Sequence, residues 1–463
     1  MAENQDYNEV ELLSALKKRD VMKLRQIFTD FNIVDIAETL NKIDNPAELL
    51  FIFKTVPPEQ TGEVFSYLDP DVQEHLIRVL SSNQLSDILE NIYTDDIIDF
   101  MEEMPANLVS KILKSADKET RQDINHLLNY KENSAGSIMT TEYVQLKAED
   151  TIPQALARIR KTGREAETIS YLFVTDTSRK LVGTLLLKDI VFAEEGQTIA
   201  DIMDTDFVSV KTSDDQEEVA LNFKKYDLNA LPVITNDGRL VGIVTADDII
   251  DVIEEEATED IQKMAAMQPL EEEYLKLSPL SVAKKRIVWL LVLMISATFT
   301  GLIINHFESV LVALPALTVF IPMIMDTGGN SGGQASTTII RSLALGEIKE
   351  KSYGRVLVHE MAVASITGGC LAAFVFAWIN IEILVGLVQL SGNVPAVEVA
   401  FLVSLTVFIT VFLAKICGAS LPIFAKKIGI DPALMAQPIV TTIVDALSLM
   451  VYFLLATQVF QLI

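Results

Sequence analysis

The chain has 463 residues, 50% of them apolar, and a formal net charge of -27. Such a length admits several domains, and an acidic surplus of this size repels nucleic acid and attracts cations. Two cysteines, Cys370 and Cys417, sit in apolar segments and supply neither a disulfide framework nor a metal-binding CxxC pair.

The charge is not spread evenly. From residue 277 onward there are 10 Lys and Arg against 9 Asp and Glu, whereas the first 276 residues hold 27 and 55. A strongly acidic soluble part is therefore joined to a nearly neutral, apolar one. The start, Met1 to Val10, is acidic and polar and does not have the pattern of a cleaved signal peptide.

Between residues 40 and 130, helix-start residues recur at intervals of roughly 12: Pro46, Pro58 and Pro70, then Thr94, Pro105 and Asp117. Each opens an amphipathic run such as Leu49-Leu50-Ile52-Phe53 or Leu76-Ile77-Leu80. About seven short helices stacked into an all-α superhelical domain, residues 1–132, are expected. Within it Asp95 and Asp99 share a helical face beside Asp96. These acids either cap a helix or are bridged by a cation.

From Ser137 the pattern alternates between strands and helices, and it repeats. Ile138-Met139-Thr140 recurs as Ile202-Met203-Asp204, and Leu172-Phe173-Val174 with Leu181-Val182-Gly183 recurs as Leu231-Pro232-Val233 with Leu240-Val241-Gly242. Asn236-Asp237-Gly238 marks a hairpin turn between two apolar strands. The duplication, residues 133–250, resembles a tandem CBS pair, an α/β regulatory module that often binds adenosyl nucleotides. That resemblance sets Thr245 and Asp248 near a ribose and leaves ATP at this pair open.

A connecting segment, residues 251–278, follows. Eight acids and no base fall between Ala246 and Asp260, while Ile249, Ile253, Ala257, Ile261 and Met264 keep helical spacing. The plain reading is a solvated acidic face. Like charges at i, i+3 and i+4 weaken a helix unless neutralised, and clustered hard carboxylate oxygens suit Mg²⁺ or Ca²⁺ rather than Zn²⁺.

Five apolar segments then fall at about 287–304, 309–340, 356–389, 397–424 and 438–460, giving a five-helix transmembrane domain over residues 279–463. Basic residues precede the first segment and occupy the loops after the second and fourth, which orients the N-terminal part to the cytoplasm and the C-terminus outside. The second segment is interrupted by Pro315 and Pro322 and runs into D-T-G-G-N-S-G-G-Q, from Asp326 to Gln334. This run is either a loop outside the membrane or a small-residue, polar-lined pore wall; the wall is the expectation, since Ala335 to Ile340 continues as helix and irregular or polar backbone at membrane depth cannot face lipid. Glu360 and Glu382 lie near segment ends, where they can snorkel, and Lys415 lies deeper. In the last segment Asp445 has no base within ten positions. A lone carboxylate at that depth costs about 2.5–3.5 kcal/mol, so it either bonds to helix neighbours or faces water and a cation.

The order of these parts, with P-M-I-M-D-T-G-G-N-S-G-G-Q, T-T-I-V-D and D-D-I-I-D-V-I-E-E-E-A-T-E-D, resembles the MgtE family of Mg²⁺ transporters along almost the whole chain. The resemblance implies a homodimeric, Mg²⁺-selective channel of the plasma membrane, with a pore on the two-fold axis, and no nucleic-acid partner. Asp445 matches the family's pore carboxylate, and Gly328, Gly329 and Asn330 its pore-lining stretch. Asp215, Glu217, Asp227, Asp248, Asp251, Glu256, Glu259 and Asp260 match its cytosolic Mg²⁺-binding acids, and Asp95 and Asp99 match more loosely. Asp326 departs from the family pattern. Two other readings remain: a coupled carrier using the broken segment as a midplane site, and a membrane-anchored nucleotide sensor or enzyme without a pore.

Overall fold

A computed structural model describes the chain apart from residues 1, 44, 103, 271–273, 276, 389–394 and 462–463, and apart from the side chains of residues 2–7, 102 and 350. Parts of the expected linker Glu271–Pro279, of the loop 390–396 and the terminal Ile463 thus lie outside the described residues. The chain forms two compact units, 1–253 and 254–463.

In the first unit, seven short helices lie between Pro46 and Leu127, as the punctuation predicts, and three more precede them. Pro46, Pro58 and Pro70 each sit in the first turn of a helix, where the missing N–H costs nothing. Asp117 caps its helix by accepting from the Thr120 amide at 2.7 Å. The apolar faces meet in one continuous core that includes Leu24, Ile52, Phe65, Leu76, Leu85, Ile97 and Ile112.

Two three-stranded sheets follow. β1 (Tyr143–Lys147) runs parallel to β2 (Thr168–Thr175), which is antiparallel to β3 (Leu181–Leu186). β4 (Val210–Lys211), β5 (Ala230–Ile234) and β6 (Leu240–Thr245) repeat that order. Gly238, at φ +80°, completes the turn between β5 and β6, and its amide donates to the Thr235 carbonyl at 2.8 Å. The repeated landmarks cross over. Met139 of the first repeat packs on Gly242 of the second, and Met203 of the second packs on Gly183 of the first. A Cβ at either glycine would meet the methionine sulfur at 2.6 or 2.7 Å, so the glycines are required by close approach.

A helix from Ala246 to Met264 carries the acidic run and contains the division between the two units. Beyond it, among the described residues, four helices are long and apolar enough to cross a membrane: Pro279–His306, Tyr353–Val385, Ala396–Lys427 and the last, counted from Pro432 to Phe460. The expected second segment is not one piece. It comprises a helix Glu308–Ala313, a 3₁₀ turn Pro315–Phe320 and a helix Ile321–Ala344. The break falls at Pro315–Phe320, ahead of the glycine-rich run, and Asp326–Gln334 is continuous helix rather than a loop. Pro322 lies in the first turn of this helix, where it starts the helix instead of kinking it.

Tight packing explains why the glycines suit a helix here. A Cβ at Gly328 would sit 2.7 Å from Thr410 and 2.8 Å from Val444; one at Gly332 would sit 2.6 Å from Val440; one at Gly418 would meet the Gly332 carbonyl oxygen at 2.3 Å. Small residues let helix backbones approach in lipid, where no hydrophobic force separates a helix partner from a lipid tail. The Ile321–Ala344 helix is thereby seated between the Ala396–Lys427 helix and the Gln437–Phe460 helix.

Candidate ion pathway and cation-binding surfaces

Within the second unit, Asp445 lies on the helix Gln437–Phe460, one turn beyond Thr441, which touches Gly329. Asp445 Oδ1 is buried and has no hydrogen-bond partner among the described residues. Asp326, on the facing helix, is close enough to act on it electrostatically. Gly328 and Gly329 are buried in the helix seams, whereas Asp326 and Asn330, one turn apart on the same helix, are exposed in the protomer. So the glycines provide the packing surface and the polar residues the open one. The break at Pro315–Phe320 is held elsewhere: Tyr452 donates to the Leu317 carbonyl at 3.0 Å, two turns or about 10 Å along the helix from Asp445.

Glu360 does not snorkel. It is 8% exposed and lies on the buried stripe with Ala364 and Gly368, against the helix that carries the 6% exposed Lys415. Glu382 accepts a hydrogen bond from Trp378 Nε1 at 2.8 Å.

In the first unit, acids gather where the helix Thr94–Glu102 meets the two sheets. Asp95 is 7% exposed; burial, then the Asp248 carboxylate, holds its carboxyl well above the usual carboxylate range. Asp96 is pushed up to about 6 by burial and by Asp248 and Asp247. Glu167 is pushed up to about 8 by burial and the same two aspartates, and its Oε2 is buried with no partner. Asp248 is raised by burial, against the lowering effect of Thr245, whose hydroxyl donates to it at 2.6 Å. The Thr245 amide also donates to Asp248, at 3.1 Å, so the carboxylate reaches back to the residue that precedes the acidic helix.

Sequence reasoning missed Glu142 and Glu167. They directly precede β1 and β2, and the Glu167 amide donates to the Glu142 carbonyl at 2.8 Å, which sets them side by side. Pairing β1 with β2 in register would have revealed them. Glu142 is satisfied by hydroxyls, Thr94 at 2.5 Å and Thr140 at 2.7 Å. Asp99, one turn beyond Asp95 on the same helix, is exposed. Asp215 caps the helix Gln216–Tyr226 by accepting from the Glu217 amide, and Asp227 ends that helix at φ 49°; both are exposed. Asp251 is exposed and Glu256 half-buried. Among the described residues, no group of three His, Cys, Asp or Glu side chains converges tightly enough to hold a metal ion directly.

In the second unit, Asp260 is half-buried and pushed up to about 6, first by burial and then by Asp431. Glu259 pairs with Lys263 at 2.7 Å.

Apolar spans with an orphaned carboxylate between packed helices, and a soluble part crowded with unneutralised acids, define a membrane protein that handles cations. Comparison with known proteins agrees. The model of the MgtE divalent cation transporters matches residues 321–455, that of the MgtE intracellular N domain residues 31–133, and that of the CBS domain residues 135–196 and 199–255. The magnesium transporter MgtE of Thermus thermophilus is 34% identical, with 96% of this chain and 97% of that protein covered. The magnesium transporter MgtE of Enterococcus faecalis is 31% identical, with 91% and 96% covered. The crystal structure of the soluble part of a magnesium transporter superposes with a TM-score of 0.53 at 30% identity, covering 55% of this chain and 99% of that one. The chain belongs to the MgtE family, whose members are transporters rather than enzymes.

Proposed function

We propose that the chain is a Mg²⁺-selective channel for magnesium uptake, shut by cytosolic Mg²⁺. The observation that carries this reading is the unpartnered Asp445 Oδ1, buried beside a glycine-packed helix whose Asp326 and Asn330 stand open. An orphaned acceptor at that depth suits a hydrated cation. Mg²⁺ sheds water reluctantly and is commonly held by one or two carboxylates through its waters, so one Asp per protomer can serve if a two-fold axis supplies a second. The working unit is then a homodimer with its pore on that axis. The helix Ile321–Ala344, too polar to count among the apolar spans, is the fifth crossing, and the C-terminus lies outside the plasma membrane.

The soluble acids act as the sensor. Burial and neighbouring carboxylates disfavour the charge of Asp95, Asp96, Glu167 and Asp248, with Asp247 acting on Asp96 and Glu167, and the unpartnered Glu167 Oε2 fits a hydrated cation as a missing partner. Asp99, Asp215, Glu217, Asp227, Asp251, Glu256, Glu259 and Asp260 extend the negative surface along the module and the acidic helix. When cytosolic Mg²⁺ is low these surfaces repel and separate; when it is high, Mg²⁺ with its waters bridges them and the acidic helix closes the pore. Many weak sites acting together give a steep response. Thr245 and Asp248 also stand where a nucleotide ribose would bind a CBS pair, so ATP is a candidate modulator. A coupled carrier is disfavoured because the helix break lies away from Asp445.

The deciding experiment is ²⁸Mg²⁺ uptake into proteoliposomes by the wild type and by Asp445→Asn. We expect saturable flux for the first and background for the second, with current following voltage without need of a proton or Na⁺ gradient. Equal flux for both would remove Asp445 from the pathway.

A further inference from the structure

The acidic helix holds no base until its last turn, where Lys263 follows. A lysine there ordinarily needs little explanation, since cations favour helix C-termini and Glu259 lies at i−4. This one does more than pair along its own helix. Its ammonium lies 2.7 Å from Glu259 Oε1 and 2.7 Å from Asp431 Oδ2, and its side chain is only 21% exposed. Burial disfavours the charged form, yet the hydrogen bonds to Asp431 and Glu259 outweigh it and raise the Lys263 pKa.

Asp431 is itself fixed. Its other oxygen, Oδ1, accepts from the Ala433 amide at 2.8 Å and caps the 3₁₀ turn Pro432–Met435, which leads directly into the helix bearing Asp445. Met264, next to Lys263, packs against Ile340, Ala433 and Ala436. Two neighbouring residues therefore grip one turn, the first by charge and the second by apolar contact, and Ile340 adds the end of the glycine-rich helix. Two carboxylates, Glu259 and Asp431, contact this single ammonium, and Asp260 lies close enough to feel its charge.

We propose that Lys263 is a tethered cation that latches the end of the acidic helix to the Asp431 turn, doing within the chain part of what a divalent cation does between carboxylates, and so lowers the Mg²⁺ concentration needed for closure. The gating half of this inference rests on the channel reading given above; the latch itself does not. With Lys263 in place, the helix end is held before any ion arrives, and fewer ions complete the closure. Without it, Glu259, Asp260 and Asp431 repel, and the helix end detaches until Mg²⁺ replaces the missing charge.

The test uses full-length protein in nanodiscs, comparing wild type, Lys263→Met, Asp431→Asn and the exchanged pair Lys263→Asp with Asp431→Lys. In Mg²⁺-free buffer, amide hydrogen exchange of residues 259–264 and 431–436 should quicken about tenfold in each single variant, a loss of about 1.4 kcal/mol of protection. The exchanged pair should regain most of that protection. Added Mg²⁺ should restore it in Lys263→Met, and the internal Mg²⁺ concentration that half-closes the channel should rise severalfold in that variant. Unchanged exchange in Lys263→Met, or an exchanged pair no better protected than the singles, overturns the latch. Altered exchange with an unmoved closing concentration overturns its role in gating. Absence of flux in every protein, wild type included, defeats the channel reading and leaves the latch to be judged by exchange alone.

Discussion

The molecule uses carboxylates in two opposite ways. At the junction of the Thr94–Glu102 helix with the sheets, acids are numerous and near one another, and burial with mutual repulsion pushes several of them up. Within the spans Asp445 is the one carboxylate with a buried oxygen that has no partner among the described residues, and one other acid, Asp326, acts on it. The soluble cluster can respond to an ion because its members are unfavourable without one. On the proposed reading the membrane residue passes an ion along because it is sparse: a tight multidentate cage would hold Mg²⁺ rather than release it. Crowding suits sensing, and sparseness suits passage.

That contrast can be broken at either end. The largest effect is expected at Asp445, where Asn keeps the shape and removes the charge; uptake should fall to background while the protein still purifies folded, and intact uptake would make the two regions more alike than argued. Next, replacing Glu256, Glu259 and Asp260 together by Ala should leave the pathway open but deaf. Patch recordings at high internal Mg²⁺ should show persistent current, whereas normal closure would place the sensor elsewhere. A smaller change tests whether the spans depend on close approach. Gly418→Ala drives a methyl into the Gly332 carbonyl and should cost about 1–3 kcal/mol, lowering the unfolding midpoint in detergent. Gly369→Ala, which would meet nothing within 4 Å, should leave that midpoint unmoved.

The smallest effect is a pH dependence of the soluble cluster. Glu167 is raised from 4.5 to about 8, facing Asp96, Glu142, Asp247 and Asp248, with Tyr67 and Tyr93 close enough to be raised by it. A carboxyl raised on folding contributes stability below its unfolded pKa, and that contribution is lost as pH rises through the folded value. In Mg²⁺-free buffer the unfolding midpoint of the soluble unit should therefore fall between about pH 4.5 and pH 8. Glu167→Gln should flatten this slope, and so should Mg²⁺; a slope unaffected by either would show that the cluster does not govern the unit's response.

Much of this was legible along the chain. Proline and aspartate punctuation located the short helices, the doubled landmarks exposed the two sheets, and the break in the second apolar segment was signalled by Pro315. The glycine run was legible only as a choice between a loop and a small-residue wall. It forms helix because the space each missing side chain leaves is filled by a neighbour, Thr441 against Gly329 and Val440 against Gly332. Glu142 and Glu167 escaped notice because they are 25 positions apart in sequence and meet only through strand pairing.

Composition and periodicity by themselves determined that an acidic soluble part precedes apolar spans, that one module is duplicated, and that Asp445 lies alone in an apolar helix. These are local properties, set by residue type and by spacing along one element. Tertiary structure decided which acids crowd together, which glycines serve packing, and that Lys263 reaches Asp431, because charge and contact energies depend on distance in space, and residues 168 positions apart can be 2.7 Å from each other.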